Sequence, residues 1–129
     1  MKIEDEKAAG FEQMEVWQDA INLAVSIYKI TSSFPKSEIY STTNQMRRAS
    51  SSISANIAEG YGRYNHKEKL QFYKIANGSL LETKSFCYLA NRLDYISEDE
   101  LDRLLIDIVS LQKQISSLIR SIRDKHDKK

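Results

Sequence analysis

Residues Ser97 to Arg123 read SEDELDRLLIDIVSLQKQISSLIRSIR. Within this stretch Leu101, Leu104, Leu105, Ile108, Leu111, Ile115, Leu118, Ile119 and Ile122 recur at steps of three and four residues. That spacing lines side chains along one face of an α-helix. Ser97, followed three places later by Glu100, forms a capping box in which each side chain satisfies an amide that the first helical turn leaves unpaired. Glu98 and Asp99 suit the positive pole of the helix, and Arg120, Arg123 and Lys125 suit the negative one. A helix apolar along one face has to bury that face, so this one requires neighbours.

Three further helices are predicted upstream. The third, about 65–93, opens on Asn65-His66-Lys67-Glu68, which has the form of a capping box. The second, about 41–60, carries Met46, Ala49, Ile53 and Ile57 on its apolar seam beside a run of serines and alanines small enough for close helix approach. Gly60 and Gly62 are expected to end it in the left-handed conformation. The first, about 13–32, repeats Trp17, Ala20, Ile21, Ala24, Ile27, Tyr28 and Thr31, and Phe34-Pro35 closes it because proline disfavours helical geometry in the residue before it. Long helices joined by short loops pack antiparallel to their neighbours. The fold predicted is all-α, an up-and-down antiparallel four-helix bundle over residues 13–125, with an N-terminal extension (1–12) and a frayed tail (126–129).

Composition agrees with one ordinary globular core: 129 residues, 41% apolar and 29% charged, with one proline and four glycines. The single cysteine, Cys87, excludes an internal disulfide and a Cys-rich zinc site, and reads as a small buried hydrophobe. The charged N-terminus lacks the apolar run of a signal peptide, and no stretch is apolar for long enough to span a membrane. A cytoplasmic location is expected, without a membrane partner.

Neither His66 nor His126 has a glutamate three places before it, as a di-metal carboxylate bundle would require. Nucleophile-elbow, phosphate-loop and dinucleotide fingerprints are absent from the sequence. No catalytic, cofactor or metal site is expected, and the chain reads as a non-enzyme.

Charge is distributed unevenly. Net charge is +1, yet residues 43–93 hold eight Lys/Arg against three Asp/Glu, a local balance of +5. Arg47, Arg48, Arg63, Lys67, Lys69 and Lys74, with Tyr61 and Tyr64 between them, are candidates for binding RNA or DNA: cations neutralise phosphates and aromatic rings stack on bases. The competing reading is an ordinary solvated surface. A polar stripe on the second helix (Gln45, Arg48, Ser52, Asn56, Glu59) reads either as a ligand site or as an interhelical hydrogen-bond network with Ser79 and Glu82, and the network is favoured.

The third helix carries more apolar surface than one core can take. Tyr73, Ala76, Leu80 and Cys87 form one stripe, and Leu70, Leu81 and Tyr88 lie on another side; Gln71, Lys74, Ser85 and Arg92 mark the wet strip. Phe72, Ile75, Phe86 and Leu93 are assigned to contact with a second copy, with the small-residue face of the second helix as receiving surface.

Several of these residues also carry a resemblance. Phe11-Glu12-Gln13-Met14-Glu15-Val16-Trp17, then Phe34-Pro35, Glu38, Tyr40 and Gln45-Met46-Arg47-Arg48-Ala49, are similar to the opening blocks of the 23S rRNA-intervening-sequence (S23) family. Ser52-Ile53, Asn56-Ile57-Ala58-Glu59-Gly60, Phe72, Ile75-Ala76, Gly78-Ser79-Leu80 and Glu82 continue it. Thr42 and Ser54 depart from the family's usual Leu and Pro. The resemblance implies a bacterial four-helix bundle that assembles as a ring-like homopentamer. It also implies distant kinship with the accessory protein of diversity-generating retroelements, which associates with a reverse transcriptase and nucleic acid. The partners expected are therefore further copies of the chain, RNA or DNA, or a nucleic-acid-handling protein.

Overall fold

The computed structural model describes residues 10–127, with side chains through Lys125. Most of the expected 1–12 extension and the end of the expected 126–129 tail lie outside the described residues. Within them the helices are α1 (Glu15–Thr31), α2 (Thr42–Tyr61), α3 (His66–Arg92) and α4 (Glu98–Asp127). Short 3-10 turns at Phe11–Gln13 and Lys36–Glu38 precede α1 and α2. Each helix packs on its sequence neighbour and α4 returns to α1, so the four form an up-and-down antiparallel bundle. The α1–α4 seam is the least closely packed of the four.

One apolar core runs the length of the bundle. Ile27 of α1, Met46, Ile53 and Ile57 of α2, Leu80 and Cys87 of α3, and Ile108, Leu111 and Ile115 of α4 are all buried in it. These are the residues whose three- and four-step spacing defines the apolar faces. Trp17 packs only partly buried against that core, while Phe11 sets its ring edge-on to Trp17 at 5.0 Å.

The caps explain where the helices begin and end. Ser97 Oγ accepts from the Glu100 amide at 3.1 Å, and Glu100 Oε1 accepts from the Ser97 amide at 2.9 Å, a complete capping box. At α3 the side-chain cap is Asn65, whose Oδ1 accepts from the amides of Lys67 and Glu68. α3 ends in a Schellman turn: the Asp94 amide donates to Asn91 O and the Tyr95 amide to Ala90 O, with Asp94 at φ 62°.

The expected helix-stopping role of Gly60 needs correction. No described glycine has a positive φ, and α2 continues through Gly60 to Tyr61. Gly60 is required for space: a Cβ there would fall 2.5 Å from Cε1 of the buried Tyr73 ring. α2 turns off one residue later, at Gly62, in right-handed geometry.

Candidate functional site

The polar stripe of α2 lies one helical step from its buried seam, and that offset brings it to the outer edge of the α2–α3 contact. There it lines a cleft of about 460 Å³. Tyr40, Asn44, Gln45, Arg48 and Ser52 form one side, and Ser79 and Glu82 of α3 the other. The Ser79 hydroxyl donates to Ser52 Oγ at 2.9 Å, while Asn56 Nδ2 donates to Ser52 Oγ at 2.9 Å and to Ser52 O at 2.8 Å. Of these bonds only Ser79 to Ser52 crosses between α2 and α3, and Asn56 joins it through Ser52 within α2.

Four members assigned to an interhelical network from sequence, Gln45, Arg48, Glu59 and Glu82, take no part in these bonds. Glu59 is exposed and accepts from Arg63 Nη2 at 3.1 Å, because Arg63 stands one turn further on and reaches back before α3 can. Gln45, Arg48 and Glu82 line the cleft but stay exposed. Arg48 and Glu82 carry opposite charges into one cleft without forming an ion pair, the Arg63–Glu59 bridge being the single pair among the described residues.

The six basic candidates divide into two groups. Arg47 donates from Nε to Thr31 Oγ1 (2.9 Å) and from Nη2 to Tyr28 O (3.3 Å), with its guanidinium 4.9 Å from the Tyr28 ring centre. Arg63 pairs with Glu59 and lies over the Phe72 ring at 4.7 Å. Lys69 donates to the carbonyls of Gly60 and Tyr61, closing the C-terminus of α2, and burial lowers its pKa. These three hold the fold together. Arg48, Lys67 and Lys74 are exposed, and their side chains bond to nothing among the described residues. The basic set is therefore not one patch: Arg48 edges the cleft, and Lys67 and Lys74 stand on the outer face of α3.

The residues assigned to subunit contact also divide. Ile75 and Leu93 are exposed, at 45% and 43%. Phe86 instead packs partly buried against the core, and Phe72 lies half-buried beneath Arg63. Of the small residues on α2 read as a receiving surface, Ala49, Ser50 and Ser54 are buried in their own bundle, while Ser51 and Ala55 are exposed. Leu89, 43% exposed, belongs with Ile75 and Leu93 and escapes the sequence reading, although it follows Phe86 by three residues and precedes Leu93 by four.

Cys87 is fully buried, and desolvation pushes its thiol up to about 12, so it supplies no thiolate. Among the described residues no three acidic, histidine or cysteine side chains converge to hold a metal. No described helix is long and apolar enough to cross a membrane.

Residues 12–117, a span containing the cleft and the whole of α3, match the sequence model of the 23S rRNA-intervening sequence protein family. The chain belongs to that family. A crystal structure of a protein of unknown function from the S23 ribosomal protein family of Bacteroides thetaiotaomicron VPI-5482 has a similar fold. It superposes with a TM-score of 0.73 at 24% identity, covering 81% of this chain and 97% of that one. No curated protein matches the chain in sequence. The part of the chain matched by the 23S rRNA-intervening sequence family includes the polar run from Gln45 to Gly60, which builds the cleft wall, the α2–α3 hydrogen bonds and the Tyr73 contact.

Proposed function

We propose that this chain is a non-enzymatic subunit of a homo-oligomer, pentameric as the family resemblance implies, that holds nucleic acid. The observation that carries the assembly is the apolar surplus of α3. Its core-facing residues Tyr73, Ala76, Leu80 and Cys87 are already buried, yet Ile75, Leu81, Tyr88, Leu89 and Leu93 remain open to water. Apolar surface left over on a closed bundle is relieved by burial against another chain. The nucleic-acid part draws on the unpaired cations Arg48, Lys67 and Lys74, multiplied by the copy number, and on the family's description.

Fluorescence anisotropy with a structured RNA across a salt series tests that part. Affinity that falls steeply with salt supports phosphate contact. Absence of binding at low salt, or binding without a salt slope, rejects it. Light scattering tests the assembly separately.

A second reading is assembly alone, with a protein partner and no nucleic acid. The intrachain duties of Arg47, Arg63 and Lys69 favour it, since they halve the cations available to phosphate. A stable pulled-down protein that carries no nucleic acid would support this alternative.

A further inference from the structure

The cleft between α2 and α3 is bridged by the hydrogen bond from Ser79 to Ser52. The two helices run antiparallel, so one turn back along α2 from Ser52 faces one turn onward along α3 from Ser79. Those positions are Arg48 and Glu82, the charged residues of the cleft, one on each wall and not closed on each other as an ion pair. Tyr40, just before α2, lines the end away from the bridge and is 91% exposed. The side chains of Tyr40, Gln45, Arg48 and Glu82 bond to nothing among the described residues. A cation, an anion and a bare aromatic ring thus border one space of about 460 Å³, a volume that suits a small molecule.

The carboxylate is the most selective of these groups. It accepts only, with two oxygens side by side, and is best matched by two adjacent N–H donors. Among the common nucleobases guanine alone carries such a pair on its pairing edge, N1–H and the N2 amine. Adenine and cytosine set one amine beside a ring acceptor, and uracil flanks one N–H with two carbonyls, so each would turn a lone pair toward Glu82. A small zwitterion would satisfy both charges but leave the Tyr40 ring with nothing to stack on.

We propose that this cleft holds a guanine nucleotide. Glu82 accepts from N1–H and the N2 amine, Arg48 donates to the phosphate, and the Tyr40 ring lies against the base. As an unpaired guanine of RNA, this ligand rests on the nucleic-acid reading and names what the cleft recognises. As a free mononucleotide it stands without that reading.

Equilibrium dialysis of the full chain at low salt against guanosine, inosine and adenosine monophosphates tests the free ligand. A hairpin RNA with one unpaired guanine, compared by anisotropy with the same hairpin carrying inosine there, tests the other source. Inosine differs from guanosine only by lacking the N2 amine, so guanine should bind about tenfold more tightly, as one bidentate contact predicts. Glu82→Gln presents one acceptor and one donor and should erase that preference. Glu82 is exposed and unbonded among the described residues, so the melting temperature of this variant should not move. Arg48→Gln should weaken guanosine monophosphate several-fold while keeping its advantage over inosine monophosphate. No guanine preference in either ligand, or a preference that survives Glu82→Gln, overturns the guanine site. Salt-dependent RNA binding that ignores the base, with no selective mononucleotide binding, overturns the site and leaves the nucleic-acid reading in place. Selective binding of guanosine monophosphate without any RNA binding supports the site and removes that reading.

Discussion

The Tyr95 hydroxyl donates to Glu38 Oε1 at 3.0 Å, tying the α3–α4 connection to the α1–α2 connection across 57 residues of sequence. Glu38 Oε2 also accepts from the Ser41 hydroxyl at 2.6 Å and the Thr42 amide at 3.4 Å. Hydrogen bonds to the ionised form, from Ser41 first, then Thr42 and Tyr95, lower the Glu38 carboxyl from 4.5 to about 2. The same bond to Glu38 raises the Tyr95 phenol above 10.

These shifts set the pH dependence at that end of the bundle. A carboxyl depressed in the folded state stabilises fully above about 4.5, and its contribution disappears as pH falls toward about 2. A phenol raised in the folded state acts in the opposite range. Its contribution is intact below 10 and disappears as pH rises through the folded value. Tyr95→Phe should lower the melting temperature at pH 7 and flatten both the acid and the alkaline decline. Thermal melts from acid to alkaline pH check it; an unchanged profile would mean the bond contributes nothing in solution.

Gly60→Ala should destabilise the bundle by about 1–3 kcal/mol, the usual cost of forcing a methyl into packed space. The new Cβ would lie 2.5 and 2.9 Å from two atoms of the Tyr73 ring, which is only 2% exposed and has little room to retreat. Urea denaturation measures the loss. Combining it with Tyr73→Leu, which removes the ring edge, should cost less than the two single changes added together.

The bundle is legible in sequence because its core residues announce themselves by period. The α4 repeat from Leu101 to Ile115 predicts the residues found buried there. Gly60 misleads for a physical reason: a glycine kept for positive φ and one kept for a neighbour's ring look alike in a sequence. The cleft is half legible. Periodicity places Ser52 and Asn56 beside the seam, but whether Glu59 meets α3 or its own turn depends on where the chain reverses. On α3, Phe86 and Leu89 are only about 60° apart about the axis, and that angle separates a residue packed on the core from one open to water.

Within the polar stripe, stability should depend on Ser52 more than on Glu59. Ser52→Ala removes the acceptor of the part-buried Ser79 hydroxyl and one of the two bonds from Asn56, which keeps Ser52 O, and should cost about 1–2 kcal/mol. Glu59→Ala breaks an exposed bridge to Arg63 and should change stability by no more than about 0.5 kcal/mol. Chemical denaturation of both variants decides the order. A larger loss at Glu59 would return that carboxylate to a buried network, formed only in the oligomer.

The basic residues separate by role, and one pair of variants exposes the division. Arg47→Ala removes bonds to Thr31 and Tyr28 and the stacking over the Tyr28 ring, so it should loosen α1 from α2 by about 1–3 kcal/mol. Its guanidinium is already engaged by those groups, so affinity for RNA, measured well below the melting temperature, should stay within about twofold. That bound follows because removing a cation bonded to phosphate would exceed it. The double variant Lys67→Ala, Lys74→Ala touches no partner among the described residues and should leave the melting temperature unchanged. It should weaken RNA binding at low salt and flatten the plot of log affinity against log salt, by about one unit for each phosphate that is no longer neutralised at a binding site. Should the double variant bind as tightly as the natural chain while Arg47→Ala abolishes binding, α3 would be released from the nucleic-acid reading. The phosphate-binding surface would then belong at the α1–α2 edge.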